Sequence, residues 1–97
     1  MTLSDDRKAR IASLVPAHMV DGLVMYVEHG ILPGSFLLAV LQDSFVEAAV
    51  RADEINKRCF FQWADVLWNE LPWDCWGSPE MVRAWIEARR TGTETPL

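Results

Sequence analysis

Residues 44–71 read SFVEAAVRADEINKRCFFQWADVLWNEL, and the assignment of this stretch decides the fold. Turned through about 100° per residue, Phe45, Ala49, Ala52, Cys59, Phe60, Trp63, Val66 and Leu67 gather on one broad face. Glu47, Arg51, Glu54, Arg58, Gln62, Asp65 and Asn69 gather opposite. That is the pattern of an amphipathic helix with Trp63 in a core. Ser44 and Glu47 match the S-x-x-E capping box at its start, and Pro72 stops it after Leu71. The pattern fits one helix, or two with a break near Lys57. Phe61, Trp68 and Val50 do not belong to the apolar face; they fall beside the polar one. A helix in a small monomer needs one apolar stripe, and this one carries a second. Either the other helices wrap far enough to cover it, or it meets a partner or a second copy of the chain.

The rest of the chain is also punctuated as helices. Ser4 is placed to cap a first helix to about Leu14, with Asp5 and Asp6 in the first turn, where the helix dipole favours acids. Pro16 suits the start of a second helix, which carries Met19, Val20, Leu23, Val24 and Val27 at helical spacing. His29-Gly30 is a C-terminal signal, a glycine able to adopt the left-handed cap. After ILPG, Ser35 is expected to cap a short helix, FLLAVLQ, apolar nearly all round and so buried on more than one side. Ser78-Pro79-Glu80 starts a last helix whose apolar face is Met81, Val82, Trp85 and Ile86. Gly92 is expected to end it. The sequence therefore predicts an all-α single domain over residues 1–97, a bundle of about five helices, with 1–3 and 92–97 as frayed termini.

The chain has 97 residues, 51% of them hydrophobic and 24% charged, an ordinary globular composition able to bury one modest core. MTLSDDRKAR is a polar start without an apolar signal region, and no run is long enough to cross a membrane. The expectation is a cytoplasmic protein. Cys59 and Cys75 form no C-x-x-C pair and read as reduced thiols. The net charge of −5 is unevenly spread. No Lys or Arg occurs from Ile11 to Val50, nor from Cys59 to Val82, whereas both spans contain acids. That argues against following a phosphate backbone and in favour of a basic protein partner.

No chemistry assembles. His18 and His29 share a helix face but lie about 16 Å apart along its axis, too far for one metal ion. Asp53 and Asn56 intrude on the apolar face of the long helix, and the HGILPGS turn is the expected place for their hydrogen bonds. HGILPG has the wrong glycine frame for a phosphate loop. Neither cysteine has the neighbouring charges of a reactive thiolate. No enzyme activity, metal or cofactor is expected. In WADVLWNELPWDCWGSPE, Trp73 and Trp76 lie in a loop whose Pro, Asp and Gly favour exposure. One of the two is expected to plug the core, and the other to stand as an anchor for a partner, since Trp dominates interface hot spots.

The runs HGILPGSFLLAVLQDS, RADEINKR, WNELP and WGSPEMVRAWI, from about His18 to Ile86, resemble a group of small accessory proteins carried by bacteriophages and prophages. The commoner form of that group has a second proline where this chain has Leu32, and an asparagine-containing turn at Gln42-Asp43. The resemblance implies a phage origin and carries no catalytic residues. By analogy with inhibitors of bacterial defence, anti-CRISPR proteins among them, it implies action by binding host machinery in the bacterial cytosol. The expected docking surface is Phe61, Trp68, Trp73 and Trp76 with Asp65, Glu70 and Asp74. The alternative is a homodimer sealed by Val50, Phe61 and Trp68.

Overall fold

Where residues 44–71 were expected to run as one or two helices, they run as three helical stretches. The computed structural model describes residues 2–91. In chain order the helices are α1 (Asp5–Leu14), α2 (Ala17–His29), α3 (Ser35–Leu41), α4 (Phe45–Arg51), α5 (Glu54–Arg58), α6 (Gln62–Asp65) and α7 (Pro79–Thr91). A π turn over Val66–Glu70 continues α6, and Trp73–Cys75 forms a 3-10 turn. No strand occurs among the described residues, so the fold is all-α, with seven α-helices rather than about five.

Two local competitions cut the long pattern. At Ala52 the backbone leaves the helix for ψ 135°, and Asp53 begins a new one by accepting the Asn56 N–H on Oδ1 at 2.7 Å. A short acidic side chain offers the backbone this alternative to the helical ladder. At Cys59 the chain turns again, and i to i+3 hydrogen bonds from Gln62, Trp63 and Ala64 carry it around Phe60 and Phe61. The breaks lie on either side of Lys57, not at it. They also shift the phase of the apolar face, so Phe45 is exposed while Ala48 and Ala52 are buried.

The capping signals divide. Ser4 Oγ accepts the Arg7 N–H at 3.1 Å, Ser78 Oγ accepts the Met81 N–H at 3.1 Å, and Gly30 takes the left-handed cap at φ 67°. Ser35 is the first residue of α3 rather than its cap, and the Ser44–Glu47 box does not form. Glu47 pairs instead with Arg51 on the same helix, at 3.2 Å. Leu3 is not frayed. Its side chain is buried and its N–H donates to Glu28 Oε2 at 2.9 Å. Met1, Gly92 and residues 93–97 lie outside the described residues.

The core centres on α3, where Phe36, Leu37, Ala39, Val40 and Leu41 are all buried. Leu23, Tyr26 and Val27 of α2, Ile11 of α1, Trp63, Val66 and Leu67 of α6 and its π turn, and Val82 and Trp85 of α7 join it, among others. Phe36 meets Trp63 edge-on at 5.8 Å between ring centroids. The 3-10 turn is tied in by the Tyr26 hydroxyl, which donates to the Cys75 carbonyl at 2.6 Å. The Trp85 indole N–H donates to the Tyr26 and Val27 carbonyls at 3.2 Å each, joining α7 to α2. The radius of gyration, 12.8 Å, is that of one compact globule for a chain this long. No helix among the described residues is long and apolar enough to cross a membrane.

Candidate docking surface

Residues 61–70 turn continuously through α6 and the π turn, and the stretch has two faces. Trp63, Val66, Leu67 and Glu70 point inward and are buried. Phe61, Asp65 and Trp68, at i, i+4 and i+7, point outward. Phe61 is 76% exposed and Trp68 64%. Pro72 then ends the helical stretch and the 3-10 turn sets Trp73, 74% exposed, beside Trp68. Their rings stack at 6.0 Å with 30° between planes. Trp76 meets Trp68 edge-on at 6.4 Å and packs against the core, so it is the loop tryptophan that plugs inward. Its indole N–H is buried and makes no hydrogen bond among the described residues.

Of the acids expected on this surface, Asp65 and Asp74 are exposed. Glu70 is not part of it. Its side chain is buried and accepts from Arg10 Nε at 3.1 Å, while its backbone carbonyl accepts from Arg7 Nη1 at 2.8 Å. Glu70 therefore fastens α1 to the π turn. The reason is phase: seven residues after Trp63, it shares the inward stripe with that residue. The arginines that meet it lie 60 and 63 positions earlier, beyond the reach of local pattern.

Val50 is exposed on α4, but both chain breaks separate it from Phe61 and Trp68. The three do not lie along one helix, so the expected seam is not a single stripe. A second aromatic group lies on the other side of Phe61. Phe45 meets Phe60 at 5.3 Å and Phe60 meets Phe61 at 5.8 Å, both edge-on.

Asp53 and Asn56, the polar residues that interrupt the long pattern, have structural partners. Asp53 and Asn56 do not reach the HGILPGS turn. Asp53 caps α5 and meets His18 Nε2 at 3.3 Å, and Asn56 Oδ1 accepts the buried Trp63 indole N–H at 3.1 Å. The short α5 turn directs them back into their own segment. The Asn56 N–H, helped by the His18 contact and against the upward push of burial, holds the Asp53 carboxyl below its usual range. Both cysteines are free thiols. Burial, with the Asp74 charge, pushes Cys75 up to about 12, and burial also raises Cys59. Neither is a thiolate at neutral pH. Among the described residues no three His, Cys, Asp or Glu side chains gather as a metal-binding set.

No protein-family model, curated protein or solved structure matches the chain.

Proposed function

We propose that this chain is a non-enzymatic interaction protein that docks on a host protein bearing a basic surface. Phe61, Asp65, Trp68, Trp73 and Asp74 form the docking surface, with Trp76 behind Trp68. The stacked and exposed pair Trp68–Trp73 carries this reading. A tryptophan offers about 150–250 Å² of buryable surface, and at about 25 cal/mol per Å² each uncovered ring forgoes a few kcal/mol. Two adjacent rings left in that state make an interface anchor. The sequence around them is acidic, with no Lys or Arg from Cys59 to Val82, and Arg7 and Arg10, which approach from α1, are bonded to Glu70. In its finer form the proposal is that the protein is phage-encoded and inhibits a bacterial defence system in the host cytosol.

Affinity capture from host cytosol, using the tagged protein and its Trp68→Ala/Trp73→Ala variant, tests the surface. A specific partner is expected with the parent and not with the variant. Retention by a folded variant overturns this placement. Phage plating on a defence-proficient host tests the finer form: expression of the parent should restore plaques, and the variant should not. Sedimentation at two concentrations separates a monomeric binder from a homodimer.

A further inference from the structure

Beside the Phe61 end of the tryptophan surface lies a pocket of about 170 Å³. Buried Ala39, Val40, Ala48, Trp63 and Leu67 form its floor, supplied by α3, α4, α6 and the π turn. The exposed rings of Phe45 and Phe61 and the small side chain of Ala64 form its mouth. Alanine at positions 39, 48 and 64 keeps the space open. The size selects the occupant. A cavity of about 150 Å³ holds one benzene ring, whereas sites for drug-sized molecules begin at about 300 Å³. This pocket fits a single apolar side chain.

The polar part of the rim is Asp43 and Ser44. Asp43 occupies the left-handed region at φ 59°, where glycine is the usual residue. Its N–H bonds to the Val40 carbonyl and the Ser44 N–H to that of Ala39, closing the end of α3 in a Schellman turn. A side chain in that conformation costs about 1–2 kcal/mol, less for Asp than for most residues. Here it sets a carboxylate at the lip of an apolar hole. The lining spans 39–48 and 60–67 contain Asp43, Glu47 and Asp65, and no Lys or Arg. Glu47 pairs with Arg51, while Asp43 is exposed on the rim and Asp65 is exposed next in sequence to Ala64 of the mouth.

We propose that this pocket receives one aromatic or branched apolar side chain from a basic segment of a protein partner, with Asp43 and Asp65 meeting the flanking cations. The inference rests on the docking reading for its choice of a protein as the source of that segment, and extends the surface past Phe61 to a pocketed anchor. A pocketed anchor with charges outside it is the usual arrangement of an interface hot spot.

The test uses capped pentapeptides and the folded protein, followed by amide chemical shifts. The first peptide has four lysines around a central phenylalanine. One control replaces the phenylalanine by alanine, and the other replaces the lysines by glutamates. The first peptide should shift Ala48, Phe61 and Ala64 and bind at least about tenfold tighter than either control. Asp43→Asn keeps a residue that tolerates the left-handed region and should weaken binding about two- to fivefold. Ala64→Phe, a change at an exposed position, should abolish it. Equal binding of the alanine peptide, equal binding of the glutamate peptide, shifts confined to other residues, or no binding to the parent each overturns the proposal. Peptide binding is read at the pocket, from the shifts of Ala48, Phe61 and Ala64, and not at the Trp68–Trp73 pair. A failure here is thus distinct from a failure of the tryptophan surface, which is read by partner capture.

Discussion

Asn56 Oδ1 accepts the indole N–H of Trp63 at 3.1 Å, and both side chains are 2% exposed. The bond joins α5 to α6 across the turn that breaks the long helical pattern. Its other end is also held, because Asn56 Nδ2 donates to Asp53 Oδ1 at 3.0 Å. A buried donor stripped of its acceptor loses about 1–3 kcal/mol. Asn56→Leu should therefore lower the urea-unfolding free energy by about that amount. Trp63→Phe removes the donor, so in the Asn56→Leu background it should cost less than in the parent. Equal costs in both backgrounds would show that the bond contributes nothing.

Gly30 and Asp43 both adopt the left-handed region, and they should respond to substitution in opposite directions. A Cβ on Gly30 would stand 2.8 Å from Arg89 Cβ and 3.1 Å from the Ile86 carbonyl, so it meets both strain and α7. Gly30→Ala should cost about 2 kcal/mol or more. Asp43→Gly relieves strain at a helix end and should gain about 0.5–1 kcal/mol. Thermal melts of the two variants beside the parent check both signs.

The contrast between these two turns shows what the sequence could express. Gly30 after His29 is a local signal for the end of α2, and so are Ser4 and Ser78 for helix starts. The helical wheel correctly separated Trp63 from Phe61 and Trp68, because residues 61–70 keep one phase. It failed at Phe45, since the wheel assumes an unbroken helix and Asp53 breaks it by capping a new one. It also had no means of seeing Glu70 as buried. A carboxylate goes inside only with a cation, and Arg10 comes from the far end of the chain. The pocket was not legible either, because its walls come from segments separated in sequence.

The two thiols should be chemically distinct. Cys75 is the fully buried last residue of the 3-10 turn, pushed up to about 12 by burial and then by Asp74. Cys59 is part-buried and raised chiefly by burial. Only the thiolate attacks a disulfide reagent. Native protein at neutral pH should titrate slowly for one thiol, and the second should appear on unfolding. Cys59→Ser should remove the slow native phase and leave the other unchanged. Two fast equivalents from the native protein would contradict the burial of Cys75.

Acid should weaken the attachment of the N-terminal segment. Burial pushes the Glu28 carboxyl up, but the Leu3 N–H, the Lys8 ammonium at 3.4 Å and His29 outweigh it and hold the group below its ordinary 4.5. A depressed acid contributes fully above its ordinary value, and that contribution is lost as pH falls through the native value. The urea midpoint should decline on acidification below about pH 4.5. Glu28→Gln should show a shallower decline and not a flat one, because Asp53 is depressed as well. An unchanged slope in the variant would remove Glu28 from the acid transition.

Trp68 and Glu70 stand two residues apart and face opposite ways, which separates stability from docking. Trp68 and Trp73 are mostly exposed, so Trp68→Ala/Trp73→Ala should leave the unfolding free energy within about 1 kcal/mol of the parent. Glu70→Ala strands Arg10 and removes the side-chain part of the tie between α1 and the π turn, leaving the Arg7 bond to the backbone carbonyl. Because the Arg10 side chain is 52% exposed, solvent compensates part of that loss, and about 1–2 kcal/mol is expected. Partner capture should show the reverse order, with Glu70→Ala binding as the parent does and the tryptophan variant not binding. Urea melts and capture on the same two preparations check the pair. Loss of binding by Glu70→Ala at unchanged stability would return Glu70 to the docking surface.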